Sequence, residues 1–248
     1  SEMCIRDRNH MRVAGANWVG TSWMVSKWVK DCILLDVGST TTDIIPIIKG
    51  RMMARGKTDL ERLANGELIY TGALRTNIAT IVESVPIRGI MTRISSELFA
   101  LSGDVHLVLG NISQSEYTTE TADKRGKARK EALSRLARVV CADTDILKED
   151  EIVSIANYVY RKQLDKISDG IIQVYSSIRA SVKDKLSLVL TGIGRNFLGR
   201  KSAEKLRFES FIDLAQIIGE DASIATPSVA VALMVAYEGG VREKEWSL

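Results

Sequence analysis

Apolar and polar positions alternate along this chain with two periods. Over Asn17 to Lys30, the residues Trp18, Val19, Met24, Val25, Trp28 and Val29 recur at helical spacing, which predicts an amphipathic helix. It leads into Cys32-Ile33-Leu34-Leu35, a run that reads as a buried strand. A short polar interruption follows, and a second apolar run then resumes at Ile44, so a β-hairpin is predicted. Pro46 lies in the second arm; lacking an N–H it cannot donate to a ladder, which points to an edge position or a bulge. Lys49-Gly50 supplies a turn into a third antiparallel strand.

Farther on, the stretch from Thr58 to Val85 reads as helix-rich despite Gly66 and Gly72, with Asn65 capping its second segment. Ser95-Ser96-Glu97 is expected to start another short helix, and Asp104 to Gly110 (DVHLVLG) a buried strand bounded by glycine. From Ser113 to Asp184 the pattern turns strongly helical, with an acidic start at Glu149 to Glu151, as in a helical insert or cap. Leu186 to Leu206 repeats the first theme of apolar strand, Gly-rich turn and helix. FIDLAQIIG is a strand or short helix, and Thr226-Pro227 opens a final helix, proline being suited to the first helical position.

Composition narrows the function classes. With 248 residues, 45% hydrophobic and 26% charged, the chain has the make-up of an ordinary globular protein, long enough for one large domain or two small ones. A formal charge of +3 over 34 basic and 31 acidic residues gives no reason to infer nucleic acid or a membrane surface as partner. Cys4, Cys32 and Cys141 are odd in number and widely separated, which fits a reducing compartment, and the cytoplasm is the expected location. The histidines are His10 and His106 alone, so a zinc site and a histidine-dependent triad both lack their residues; a bound metal would have oxygen ligands. The longest apolar run, Val229 to Tyr237, is far short of the ~20 residues that span a bilayer. The opening SEMCIRDRNHMR has no apolar signal-like core and reads as an appended or truncated end.

The candidate chemistry lies in the hairpin turn. Asp36, Gly38, Ser39, Thr40, Thr41, Thr42 and Asp43 are more than a turn requires. Glycine permits close approach, successive N–H groups can point into one concavity, and hydroxyls add donors, which is a phosphate-binding composition for Gly38 to Thr42. A carboxylate beside phosphate becomes favourable when Mg²⁺ lies between them, so Asp36 is a candidate metal ligand and Asp36 and Asp43 are candidate catalytic residues. Thr191, Gly192 and Gly194, opening a helix, offer a second anion or nucleotide contact. The plainer alternatives are a simple hairpin turn and a simple strand-to-helix connection. For Lys124, Arg125, Lys127 and Arg129 the choice is between a solvated helix start and a substrate-anion clamp. His106 reads as a satisfied core residue, and Trp18, Trp23 and Trp28 as packing.

These residues carry a resemblance. LLDVGSTTTDIIPI resembles the phosphate motif of the hydantoinase and oxoprolinase branch of the superfamily that contains acetate kinase, sugar kinases and actin. More specifically, DLERLANGELIYTGALRTNIATIVESVPIRG, DVHLVLGNISQSEYTTETADKRGKARKEALSRLARVVCAD and EDASIATPSVAVAL resemble the tetrahydromethanopterin-linked one-carbon transfer pathway family, which includes the methanofuran-biosynthesis synthase. The likeness runs from about Ala14 to Tyr237.

The resemblance implies an α/β, ribonuclease-H-like (actin-like ATPase) mixed sheet with antiparallel hairpin strands. It implies a transferase that joins an aminomethylfuran-methyl diphosphate to the phenol of γ-glutamyltyramine and releases diphosphate, with Mg²⁺ and without ATP. Its alternatives are an ATP-dependent hydantoinase- or oxoprolinase-type hydrolase or sugar-kinase-like enzyme, and a non-catalytic binding module or inactive fragment. The superfamily pairs two related domains, each with its own acidic Gly-Thr hairpin, whereas one such hairpin is present here. The expected organisation is therefore residues 1–30 as an appended start and remnant of a first domain, 31–225 as the second domain with a helical insert at about 113–184, and 226–248 as a final helix and tail. The expected partner is a small diphosphate or nucleotide.

Overall fold

The computed structural model describes residues 17–182 and 186–240. The expectations for the N-terminal stretch, with Cys4 and His10, fall outside them. In chain order the elements are α1 (Asn17–Trp28), β1 (Cys32–Val37), β2 (Thr42–Ile48), β3 (Arg51–Met52), α2 (Asp59–Ala64), β4 (Leu68–Ile69), β5 (Ser84–Ile87), β6 (Ile90–Arg93), α3 (Ser102–Val108), α4 (Arg129–Arg138), α5 (Glu149–Ile178), β7 (Ser187–Thr191), α6 (Lys201–Lys205), β8 (Phe211–Asp213), α7 (Ala215–Ile218), α8 (Glu220–Ile224) and α9 (Thr226–Glu238). A π-helical stretch, Arg195–Arg200, precedes α6.

The chain divides into two compact units. One contains the described residues up to Val37, Thr42–Ile69 and those from Ser168 onward; the other contains Gly38–Thr41 and Tyr70–Ile167. The division therefore falls elsewhere than the expected insert at about 113–184, and α5 contributes its first part to one unit and its remainder to the other.

The first unit is built on a mixed sheet in the order β3-β2-β1-β7-β8, with β4 also paired to β2. β1 and β2 form the expected antiparallel hairpin, and β7 runs parallel to β1, with Leu34 opposite Val189 and Asp36 opposite Thr191. Side chains alternate across a strand. Cys32, Leu34, Ile45, Ile47 and Val189 accordingly share one face and pack with Met24 and Val25 of α1 and Ala230 of α9, Trp18, Trp23 and Trp28 lying against this cluster. Ile33, Leu35, Ile44, Leu188 and Leu190 are buried on the other face. The later part of α5 is tied to this unit by Ser168 Oγ donating to Ser202 O at 3.1 Å and Gln173 Nε2 donating to Ala64 O at 2.8 Å.

Pro46 lies inside the sheet, opposite Ile33 of β1. Its outer side faces the gap between the β4 pairing at Thr42–Asp43 and the β3 pairing at Ile47–Ile48, and its carbonyl accepts from Met53 N at 2.8 Å. The missing N–H is therefore at a local edge within an interior strand.

Three expectations need correction. Thr58 to Val85 is not helix-rich. α2 has a capping box from Thr58 and Glu61, then stops where Asn65 Nδ2 donates back to Glu61 O at 2.7 Å and Gly66 takes φ 70°. The chain then becomes β4, loop and β5, and Asn65 caps the end of a helix, not the start of one. Nor does Ser95-Ser96-Glu97 begin a helix; the next helix starts at Ser102. Finally, Asp104 to Val108 belongs to helix α3, every residue of which is buried. A continuous apolar run has no period that separates a buried strand from a wholly buried helix. The deciding groups are polar: Asp104 accepts the Leu101 N–H at 3.0 Å, and Ser102 Oγ accepts the Thr76 N–H at 3.1 Å.

The second unit holds α3, α4, the first part of α5 and the β5–β6 hairpin. Its centre contains a buried ion pair, Arg135 Nη2 to Asp104 Oδ1 at 2.7 Å, both side chains being 0% exposed. Among the described residues from Ser113 to Val182 the α-helices are α4 and α5, a 3-10 turn follows at Arg179–Ser181, and residues 113–128 are turns and irregular chain.

Candidate functional site

In the first unit the polar ends of three strands line up. Asp36 of β1 is opposite Asp43 of β2 in the antiparallel register and Thr191 of β7 in the parallel one. The apolar face of these strands thus terminates in two carboxyls and a hydroxyl. Asp36 is buried, and its carboxyl is pushed up to about 7, first by burial and then by the charge of Asp43. Asp43 is also raised by burial, but Arg62 opposes this: Arg62 Nη2 reaches Asp43 Oδ1 at 2.5 Å. The same guanidinium donates to Glu67 O at 3.1 Å and stacks 4.3 Å from the centre of the Trp18 ring. Of the two aspartates, Asp43 is therefore the one with a cationic partner.

The turn after β7 presses its backbone against the end of β1. Gly192 has φ 84°, and a Cβ there would run into Val37 O and come 2.7 Å from Asp36 Oδ1, so only glycine meets both conditions. Its N–H donates to Ser223 O at 3.1 Å, and that of Gly194 to Val37 O at 2.9 Å. Thr191 Oγ1 is wholly buried, 3.0 Å from Ser223 O and 2.6 Å from Thr226 Oγ1. These three residues, predicted as an anion contact, thus have the donors they would offer already engaged in joining strand ends and α9. What the turn leaves beside Asp36 is close backbone packing. Arg195, which follows, donates to Asp213 Oδ1 at 3.0 Å and also pairs with Glu220.

The four residues that close the β1–β2 hairpin belong to the second unit. Gly38 N donates across the turn to Thr41 O at 2.9 Å. Ser39, Thr40 and Thr41 are partly exposed, with Ser39 Oγ 3.5 Å from Thr40 Oγ1. Among the described residues their N–H groups make no backbone hydrogen bond. Thr42, the first residue of β2, is wholly buried and pairs with Ile69, which removes it from an open turn. The predicted donors thus reduce to Ser39, Thr40 and Thr41.

Other candidates resolve more simply. His106 is buried in α3 with its pKa lowered to about 3 by burial, so it is a neutral core residue, as its apolar surroundings suggested. Arg129 pairs with Glu149 at the start of α4, and Lys127 lies 5.6 Å from the Tyr117 ring centre, which favours the structural reading of the basic cluster. Among the described residues no group of three or more His, Cys, Asp or Glu could hold a metal, and no helix is long and apolar enough to cross a membrane.

A mixed sheet with an acidic, hydroxyl-rich hairpin and a Gly-rich turn at the parallel strand beside it defines the class: the chain belongs to the hydantoinase/oxoprolinase family, whose description matches residues 5–238. Within it, the chain is 39% identical over 229 residues to the (4-{4-[2-(gamma-L-glutamylamino)ethyl]phenoxymethyl}furan-2-yl)methanamine synthase of Methanocaldococcus jannaschii, covering 92% of this chain and 66% of that protein. It is 37% identical over 211 residues to the synthase of the same name from Methanococcus vannielii, covering 84% of this chain and 92% of that one. The chain is thus shorter than the first relative and close in span to the second. The nucleotide-free structure of acetone carboxylase has the same fold, with TM-score 0.51 and 14% identity over 87% of this chain and 31% of its own. The expected ribonuclease-H-like α/β class and the methanofuran-synthase kinship both stand.

Proposed function

We propose that this protein is a transferase of methanofuran-type cofactor biosynthesis, joining an aminomethylfuran-methyl diphosphate to the phenol oxygen of γ-glutamyltyramine with release of diphosphate. The observation that carries the reading is the 39% identity to a synthase of that product over 92% of the chain. The product's phenoxymethyl-furan linkage defines the bond to be made. The phenol oxygen bonds to the furan-bearing methylene, the methylene–oxygen bond to diphosphate breaks with its electron pair leaving on diphosphate, and the phenolic proton is released.

A furfuryl carbon tolerates developing positive charge, so the main demand falls on the departing diphosphate. Mg²⁺, when bound, neutralises part of that charge, and it is ordinarily held by one or two carboxylates plus substrate phosphates and waters. Asp36 suits this role: a divalent cation would offset both the burial and the neighbouring Asp43 charge that push this carboxyl up to about 7. Asp43, already paired with Arg62, adds negative charge nearby. Ser39, Thr40 and Thr41 offer N–H and hydroxyl donors to phosphate oxygens. The direction of the Asp36 shift also makes Mg²⁺ binding displace a proton below about pH 7, weakening it by up to about tenfold per pH unit.

The test is product formation from the two substrates with Mg²⁺ and no nucleotide, followed by mass spectrometry and diphosphate release. Equal amounts of ether and diphosphate are expected. Turnover that requires ATP would instead favour the hydrolase or kinase alternative, and no product in either condition would defeat the transferase reading.

A further inference from the structure

In the second unit a buried polar chain ends on the hairpin loop. Gln163 of α5 is 0% exposed, and its Nε2 donates to Thr71 Oγ1 at 2.9 Å and to Gly72 O at 3.1 Å. A carbonyl only accepts, so the amide nitrogen must face Gly72, which fixes the orientation of the carboxamide.

The segment that Gln163 holds grips the loop. Ala73 N donates to Gly38 O, and Leu74 N and Arg75 N both donate to Ser39 O, each at 2.9 Å. Gly72 lies so close beneath that a Cβ would come within 2.6 Å of Thr40 N and 2.7 Å of Ser39 C. The far side of Gly72 is fixed by Thr76, whose Oγ1 accepts the Gly72 N–H at 2.9 Å. In a trans peptide the C=O and the next N–H point in opposite directions. Drawing the Gly38 and Ser39 carbonyls toward residues 73–75 therefore turns the N–H groups of Ser39 and Thr40 the other way, side by side.

We propose that Gln163 is a positioning residue that sets this pair of N–H donors through the Thr71–Arg75 segment. The inference rests on the phosphate role of the loop proposed above. Gln163→Leu keeps the approximate volume of the side chain and removes its hydrogen bonds. Thr71→Val, which removes one of the two bonds, is the milder companion should Gln163→Leu fail to fold. Two readouts decide: amide exchange at Ala73, Leu74 and Arg75, and calorimetric affinity for inorganic diphosphate with Mg²⁺ on protein shown to be folded by its thermal transition. In Gln163→Leu, exchange at the three amides should quicken at least tenfold and diphosphate affinity should fall about tenfold, with smaller changes of the same sign in Thr71→Val. A folded variant with faster exchange but unchanged affinity would show that the segment is merely structural, and unchanged exchange would remove the clasp; either overturns the proposal. Wild-type protein that binds no diphosphate would instead defeat the phosphate reading of the loop, with the exchange rates still judging the Gln163 clasp by itself.

Discussion

Asp36 and Asp43 have the same side chain and adjoining positions in one ladder, yet their surroundings separate them. Arg62 compensates Asp43, and Asp36 has burial and a like charge against it. The separation has a measurable sign. Because the folded-state carboxyl of Asp36 titrates near 7 and the unfolded one near 3.8, the folded protein binds more protons between these values, and this group's contribution to stability falls as pH rises through the window. Above about pH 7 the ionised group costs stability, on the order of a few kcal/mol. Asp36→Asn should therefore raise the stability measured by urea unfolding at pH 8 and leave it nearly unchanged at pH 4; an equal effect at both would contradict the titration. The place of Asp36 was legible in the sequence, at the end of an apolar strand and opposite Asp43 across the hairpin. Arg62 was not, since a charged residue in DLERLA reads as the polar side of a short amphipathic helix. Thr191 shows the opposite error: a hydroxyl in a Gly-rich turn resembles a ligand donor, and only tertiary packing shows it committed to Ser223 and Thr226.

At the scale of elements, strand-turn-strand and strand-turn-helix units were readable because their turns are punctuated by glycine and their strands by short apolar runs. The hairpin β1–β2, the turn into β3, the unit from β7 through α6 and the Pro227-started α9 all follow from that punctuation. Where local pattern failed, a polar group reaching across the chain decided the outcome. The expected strand from Asp104 is a helix because Asp104 caps its start and Arg135, 31 residues later, binds the same carboxylate. The expected helices after Thr58 gave way to loop because Gly72 must press against the Ser39–Thr40 backbone. Removing one partner of a fully buried ion pair leaves an uncompensated charge, which typically costs about 3–5 kcal/mol. Asp104→Ala, which strands Arg135 and also removes the cap on Leu101, should lower stability by roughly that amount in urea unfolding. A loss below about 1 kcal/mol would mean that α3 is held by its apolar contacts alone.

Taken whole, the chain combines a hydantoinase/oxoprolinase-type sheet with sequence kinship to synthases that make a furan-methylamine ether. The fold alone does not choose the chemistry, since acetone carboxylase shares it at 14% identity. The choice rests on the family relatives and on whether Asp36 serves a departing diphosphate. If it does, its loss acts on the rate while the folded protein becomes more stable near pH 8, a combination that a structural residue would not produce. The most direct measurement is the Mg²⁺-dependent rate of diphosphate release with both substrates at pH 8, wild type against Asp36→Asn, with folding monitored in the same samples. A fall of about 10²-fold or more, with Mg²⁺ dependence weakened and the fold intact, is the expected result for removing one electrostatic contact made to leaving-group charge. An Asp36→Asn protein that turns over at the wild-type rate with unchanged Mg²⁺ dependence would contradict the role given to Asp36 and, with it, the hairpin as the centre of the chemistry.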